Sequence, residues 1–193
     1  MARVLPTKVS WDWSTAGQDR EAEMDKFGRP SYDKKKGSFV WKKNVVPTYR
    51  WYNGRAHFYG LGDKLDPEST VSLNGPLGER EDAEAKIHPF KLHTGLQIYD
   101  TENLYLIVPK LFGPDAYWKH FDWDKASELG MKSVDLPYSG KYGFVKTVMH
   151  WKLNHMVAPA EDALKCLDCH GDRSRLDWKG LGYTEDPMRG KSP

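Results

Sequence analysis

The chain has only two cysteines, spaced three positions apart with a histidine directly behind them: Cys166-Leu167-Asp168-Cys169-His170. This pentapeptide constrains the fold more than any other feature. Its spacing is that of a c-type haem attachment site. There each thiol adds to one porphyrin vinyl group and the adjacent imidazole reaches the iron as proximal ligand. Three other readings stand behind it. A zinc half-site would need a second pair of ligands, and no further cysteine is available to complete a Cys₄ or Cys₃His cage. A thioredoxin-like dithiol belongs in a βαβ setting, and no strand signal precedes this one. Chance occurrence is the third.

Composition supports a bulky cofactor. Hydrophobic residues make up 39% of the 193 residues and mean hydropathy is −0.73, yet aromatics reach 13% with eight Trp. A chain this polar builds a thin aliphatic core. Its aromatics argue against disorder and for an interior completed by something flat. The expected fold is therefore mainly α with much irregular structure, one or two small β-hairpins and a haem-filled core, as in multihaem cytochromes. The formal net charge of +2 removes the electrostatic case for nucleic acid or an anionic membrane surface. No window approaches 18 uninterrupted apolar residues, so no membrane span is predicted. The first residues, Met1 to Lys8, contain no signal-peptide h-region.

Local signals are short. Gln18 to Phe27 reads as a polar helix ended by Gly28-Arg29-Pro30, and Lys34-Lys35-Lys36 as a solvated turn. Asn53-Gly54 between Tyr49–Tyr52 and Arg55–Tyr59 predicts a tight hairpin. A second hairpin is expected over Lys91 to Val108, turning at Tyr99–Asn103. A helical stretch runs from Gly113-Pro114-Asp115 to about Lys132. Ala158 to Lys165 reads as a short helix delivering the cysteines. Residues 1–171 form one portion, and 172–193 a polar tail expected on the surface or mobile.

There are seven histidines, and one covalent haem uses His170 and at most one more. His93 and His155 lie in the most distinctive settings and are the foremost candidate iron ligands, followed by His57 at a hairpin. His88, His120 and His150 read as structural. Met156 competes with His155 as an axial ligand and would raise the potential.

Several segments occur in a telling order: Trp11-Asp12-Trp13-Ser14-Thr15-Ala16-Gly17-Gln18, then Tyr32-Asp33-Lys34-Lys35-Lys36-Gly37-Ser38-Phe39-Val40-Trp41, Pro137-Tyr138-Ser139-Gly140 and Asn154-His155-Met156-Val157-Ala158-Pro159. Cys166-Leu167-Asp168-Cys169-His170 closes the series. Together they resemble the C-terminal part of the octahaem tetrathionate reductase family of periplasmic cytochromes c, over about Met1 to Gly171. The resemblance implies a parent protein that reduces tetrathionate, nitrite or hydroxylamine. Its catalytic haem, with lysine as distal ligand, would lie in an N-terminal portion outside this chain. No catalytic residue is therefore carried onto any position here. The implied partners are that haem-bearing region, whose haems this part would contact, an electron-donor cytochrome or quinol system, and a small inorganic sulfur or nitrogen oxyanion.

The leading expectation is a C-terminal fragment of a periplasmic multihaem reductase that holds one haem c and relays electrons. Truncation would explain the missing signal peptide. The alternative is a self-contained monohaem electron-transfer cytochrome c. A scaffold with an incidental motif ranks last.

Overall fold

The computed structural model describes residues 1–153 and 159–189. Among these, one sheet dominates. Its nine strands are β1 (Thr7–Asp12), β2 (Tyr32–Asp33), β3 (Gly37–Lys42), β4 (Thr48–Tyr52), β5 (Ala56–Phe58), β6 (Val71–Pro76), β7 (Lys86–Asp100), β8 (Tyr105–Leu106) and β9 (Tyr142–Lys152). Helices are few and short: α1 (Tyr117–His120), α2 (Trp123–Lys132) and α3 (Cys166–Cys169), with 3₁₀ turns at Trp13–Thr15 and Ala160–Asp162. The expectation of a mainly α fold with one or two small hairpins is overturned by this mixed sheet of nine strands.

The spine is β7. One of its edges pairs antiparallel with β9 over eleven positions, from Phe90↔Lys152 to Asp100↔Tyr142. Its other edge is shared by three short strands in succession. These are β4 antiparallel to residues 86–90, β1 parallel to 94–96, and β8 antiparallel to 99–100. The sheet continues through β3 and β2 beyond β1, and through β6 and β5 beyond β9.

The interior is filled by the chain's own rings. Tyr117 and Trp123 stack at 3.7 Å, Trp13 and Phe144 meet Trp123 edge-on, and Met131, Ala126 and Ile98 close the cluster. Aromatic side chains bury large apolar areas apiece, so a polar sequence with many rings can pack a core without a porphyrin at its centre.

Local expectations fare unevenly. Residues 18–27 are not helical. Asp25 accepts hydrogen bonds from Phe27 N and Arg29 N and makes a turn instead, and Met24 bridges to Pro30. An isolated ten-residue polar helix without a buried face is marginal, and a local Asp cap competes with it. Asn53-Gly54 does turn the chain, but its flanks separate. β4 pairs with β7 and β5 pairs with β6, so the expected hairpin does not form. The 91–108 hairpin forms only at its tip, Tyr99↔Leu106 and Asp100↔Tyr105. The 113–132 stretch is helical in two pieces, because Phe121 adopts φ 55° and Asp122 caps α2 by accepting from Lys125 N at 3.1 Å. Ahead of the motif, residues 160–162 form a 3₁₀ turn rather than a helix reaching the cysteines.

Candidate haem-attachment site

Both cysteines sit on the single turn α3, whose start is held by Lys165 N donating to Asp168 Oδ2 at 2.8 Å. Both thiols are free. Cys166 is exposed and Cys169 half-buried. His170 follows in extended conformation and its N–H still donates to Cys166 O, so imidazole and thiols are set by one turn of backbone.

The segment behind the motif completes the site. Trp178 stacks on His170 with centroids 5.1 Å apart and planes 17° from parallel, and its Nε1 donates to Cys169 O at 3.1 Å. Ser174 Oγ donates to the same carbonyl. Asp186 Oδ1 accepts from His170 Nδ1 at 2.7 Å, and its carboxylate also takes Gly171 N at 2.6 Å and Met188 N at 2.9 Å. Burial alone would raise the Asp186 carboxyl. The hydrogen bonds, His170's first among them, outweigh that and hold it at about 2. The carboxylate is thus ionised near neutrality and His170 Nδ1 must be the protonated nitrogen, which leaves Nε2 as the metal-binding atom. Two free thiols at this spacing and an imidazole with one nitrogen already committed are the donor set that haem c requires.

Within the tail expected on the surface or mobile, the described residues 172–189 are docked on the sheet. Leu181 is 1% exposed, its carbonyl accepts from Trp51 Nε1 at 2.9 Å, and Arg80 donates to Gly182 O at 3.0 Å while lying 4.7 Å from the Tyr183 ring. Neither Trp178 nor Asp186 was singled out from the sequence. Their roles depend on a tail folding back over eight to sixteen residues, and no local pattern announces that.

The remaining histidines are dispersed. His93 lies on β7, half-buried, and burial followed by the Lys91 and Lys8 charges lowers its pKa. Alternation along β7 puts His93 and Lys91 on one face and His88 and Phe90 on the other. His57, on β5, is exposed. Ser72 Oγ donates to Asn74 O, so His57 Nε2 is the donor to Ser72 Oγ at 3.0 Å. His150 Nδ1 donates to that same Asn74 carbonyl at 3.2 Å, which leaves Nε2 free. His57 and His150 share a cavity of about 410 Å³ with Arg50, Ser72, Arg80 and Leu181. His88, read as structural, keeps a buried Nε2 with no partner, between the Tyr52 and Phe90 rings. His120 is exposed, 3.9 Å from Asp115. His155 and Met156 lie outside the described residues. Among the described residues no cluster of three His, Cys, Asp or Glu forms a protein-only metal site, and no helix is long and apolar enough to cross a membrane.

Residues 8–173 match the family described as cytochrome c bacterial. Among solved structures, an octaheme cytochrome c from Shewanella oneidensis superposes with a TM-score of 0.93 at 49% identity. That match covers 100% of this chain and 46% of the Shewanella chain, so this chain spans under half its length. None of the curated proteins matches.

Proposed function

Because the chain belongs to the bacterial cytochrome c family, whose members bind haem c covalently, we propose that its attachment site serves as an electron relay within a multihaem reductase of the octahaem tetrathionate reductase type. One observation carries this reading: the whole chain, with its single Cys-x-x-Cys-His motif, matches under half of an octaheme cytochrome at 49% identity. The other haems of such a protein would be held by polypeptide equivalent to the rest of that structure. The parent would work in the periplasm and reduce a small sulfur or nitrogen oxyanion.

In this reading Cys166 and Cys169 hold the haem through thioethers, and His170 Nε2 is its proximal ligand. When bound, haem supplies one-electron redox chemistry through its iron. The protein's part is to anchor, orient and insulate. Asp186 keeps the proton on His170 Nδ1, and Trp178 limits rotation of the ring. A second imidazole from His93, His57 or His155 would close the sixth position of this haem or of a neighbouring one. With imidazoles as its protein ligands the iron would keep no exchangeable site, so His170 and its partner histidine would serve electron relay and leave substrate chemistry to another centre.

The test is haem counting. Pyridine haemochrome and iron-to-protein ratios on the native protein from its source should give several haems per molecule, one of them attached at Cys166 and Cys169. A ratio of one would instead identify a monohaem carrier.

A further inference from the structure

Asp186 and Trp178 do more than pack a tail. They restrain His170 on two sides, Asp186 at the ring edge and Trp178 on one face. Each is restrained in turn. The Asp186 carboxylate takes three donors, from His170 Nδ1, Gly171 N and Met188 N. The Trp178 indole is tied to Cys169 O and has the Tyr183 ring edge-on at 5.3 Å. Tyr183 in turn lies under Arg80, and Leu181 and Gly182 are pinned to Trp51 and Arg80. This is a continuous path from the sheet to the imidazole. Trp178 and Asp186 also lie beyond residues 8–173, the span of the family match. The restraint is thus added to the attachment motif by the segment that follows it.

We propose that Asp186 is a positioning and tuning residue for the haem at His170, with Trp178 as its partner in fixing the ring. A carboxylate on the distal nitrogen of a ligating imidazole raises that ligand's basicity. The more basic ligand donates more strongly to iron and favours the oxidised state. The docked tail therefore sets this haem at a lower potential than a motif histidine bonded only to water or a neutral carbonyl. The proposal rests on the reading that His170 ligates haem iron.

Spectroelectrochemical titration of the haem-loaded protein tests it, beside low-spin EPR spectra. Asp186→Asn keeps the shape and an acceptor but removes the charge. At a fixed applied potential it should lower the oxidised-to-reduced ratio of this haem about tenfold, a rise of about 59 mV for one electron. Asp186→Glu, which restores the carboxylate, should recover most of the shift. Trp178→Ala should broaden the low-spin EPR signal through a wider spread of ring orientations. Glu185→Gln removes the exposed carboxylate next to Asp186, which pairs with Arg189 and does not touch His170, and should leave the potential in place. Failure of Asp186→Asn alone to load haem, with Asp186→Glu and Glu185→Gln loading normally, also supports the assignment. An unmoved potential in Asp186→Asn overturns it, as do equal shifts or equal loss of haem in Asp186→Asn and Glu185→Gln. Absence of haem on the native protein would instead refute the attachment reading itself.

Discussion

Asp100 offers the sharpest test of how the sheet holds its central hairpin. It ends β7 with 0% exposure, paired to Tyr105 on one edge and Tyr142 on the other. Its Oδ1 accepts from Asn103 N at 2.8 Å, Glu102 N at 3.0 Å and Ser139 Oγ at 2.8 Å. Its Oδ2 accepts from Ser139 N at 2.7 Å and Asn103 Nδ2 at 3.0 Å. One carboxylate thus ties the β7–β8 turn to the segment entering β9. Burial pushes the carboxyl up, but the hydrogen bonds from Asn103 and Ser139 outweigh it and the pKa falls from 3.8 to about 2. A depressed folded pKa means stabilisation that is complete above the unfolded value and lost as pH falls through the folded one. The shift corresponds to roughly 2 kcal/mol, present above about pH 4 and gone near pH 2. Asp100→Asn removes the charge and turns an amide NH₂ toward donors that need an acceptor, so the full cost at pH 7 should be about 3 kcal/mol. Urea unfolding of the haem-loaded variant should show a lowered midpoint with an unchanged slope, and a shallower loss of stability between pH 4 and 2. A midpoint within error of the parent, or an acid limb as steep as the parent's, would refute the reasoning.

Three further outcomes are expected. A Cys166→Ser/Cys169→Ser variant should release its haem on acid–acetone extraction, whereas the parent protein retains it. His93→Ala and His57→Ala should be compared by visible and EPR spectroscopy. Conversion of a low-spin haem to high spin in either marks it as a ligand, and unchanged spectra in both remove these two from the candidates. Gly130→Ala should destabilise by about 2 kcal/mol in thermal or urea melts, although Ala is ordinarily favoured over Gly inside a helix by about 1 kcal/mol. A Cβ there would overlap the Val108 carbonyl, against which α2 packs through Lys110 N donating to Ala126 O.

The candidate attachment site is legible in the sequence because its chemistry is local. Cys166, Cys169 and His170 lie within five residues, and one helical turn brings them together whatever the remainder does. Turn chemistry was equally readable at Asp33–Gly37 and Asn53-Gly54, where glycines adopt positive φ of 87° and 92°. The sheet was not. Along β7, from Lys86 to Asp100, most residues are half-buried on both faces, so no clean apolar–polar alternation marks it as a strand. Its partners lie as far away as Thr7–Asp12 and Tyr142–Lys152, and whether Tyr49–Tyr52 pairs with its neighbour across Asn53-Gly54 or with β7 is decided by those distant strands. The same holds for the rings. Their number was countable from the sequence, but only the packed fold shows Tyr117, Trp123 and Trp13 filling a core of their own while Trp178 stacks on the motif histidine. The sequence by itself determined which atoms can bond a haem. The tertiary structure decided what stands behind the iron-binding imidazole, because the contact between His170 and Asp186 exists only once the tail is anchored to Trp51 and Arg80.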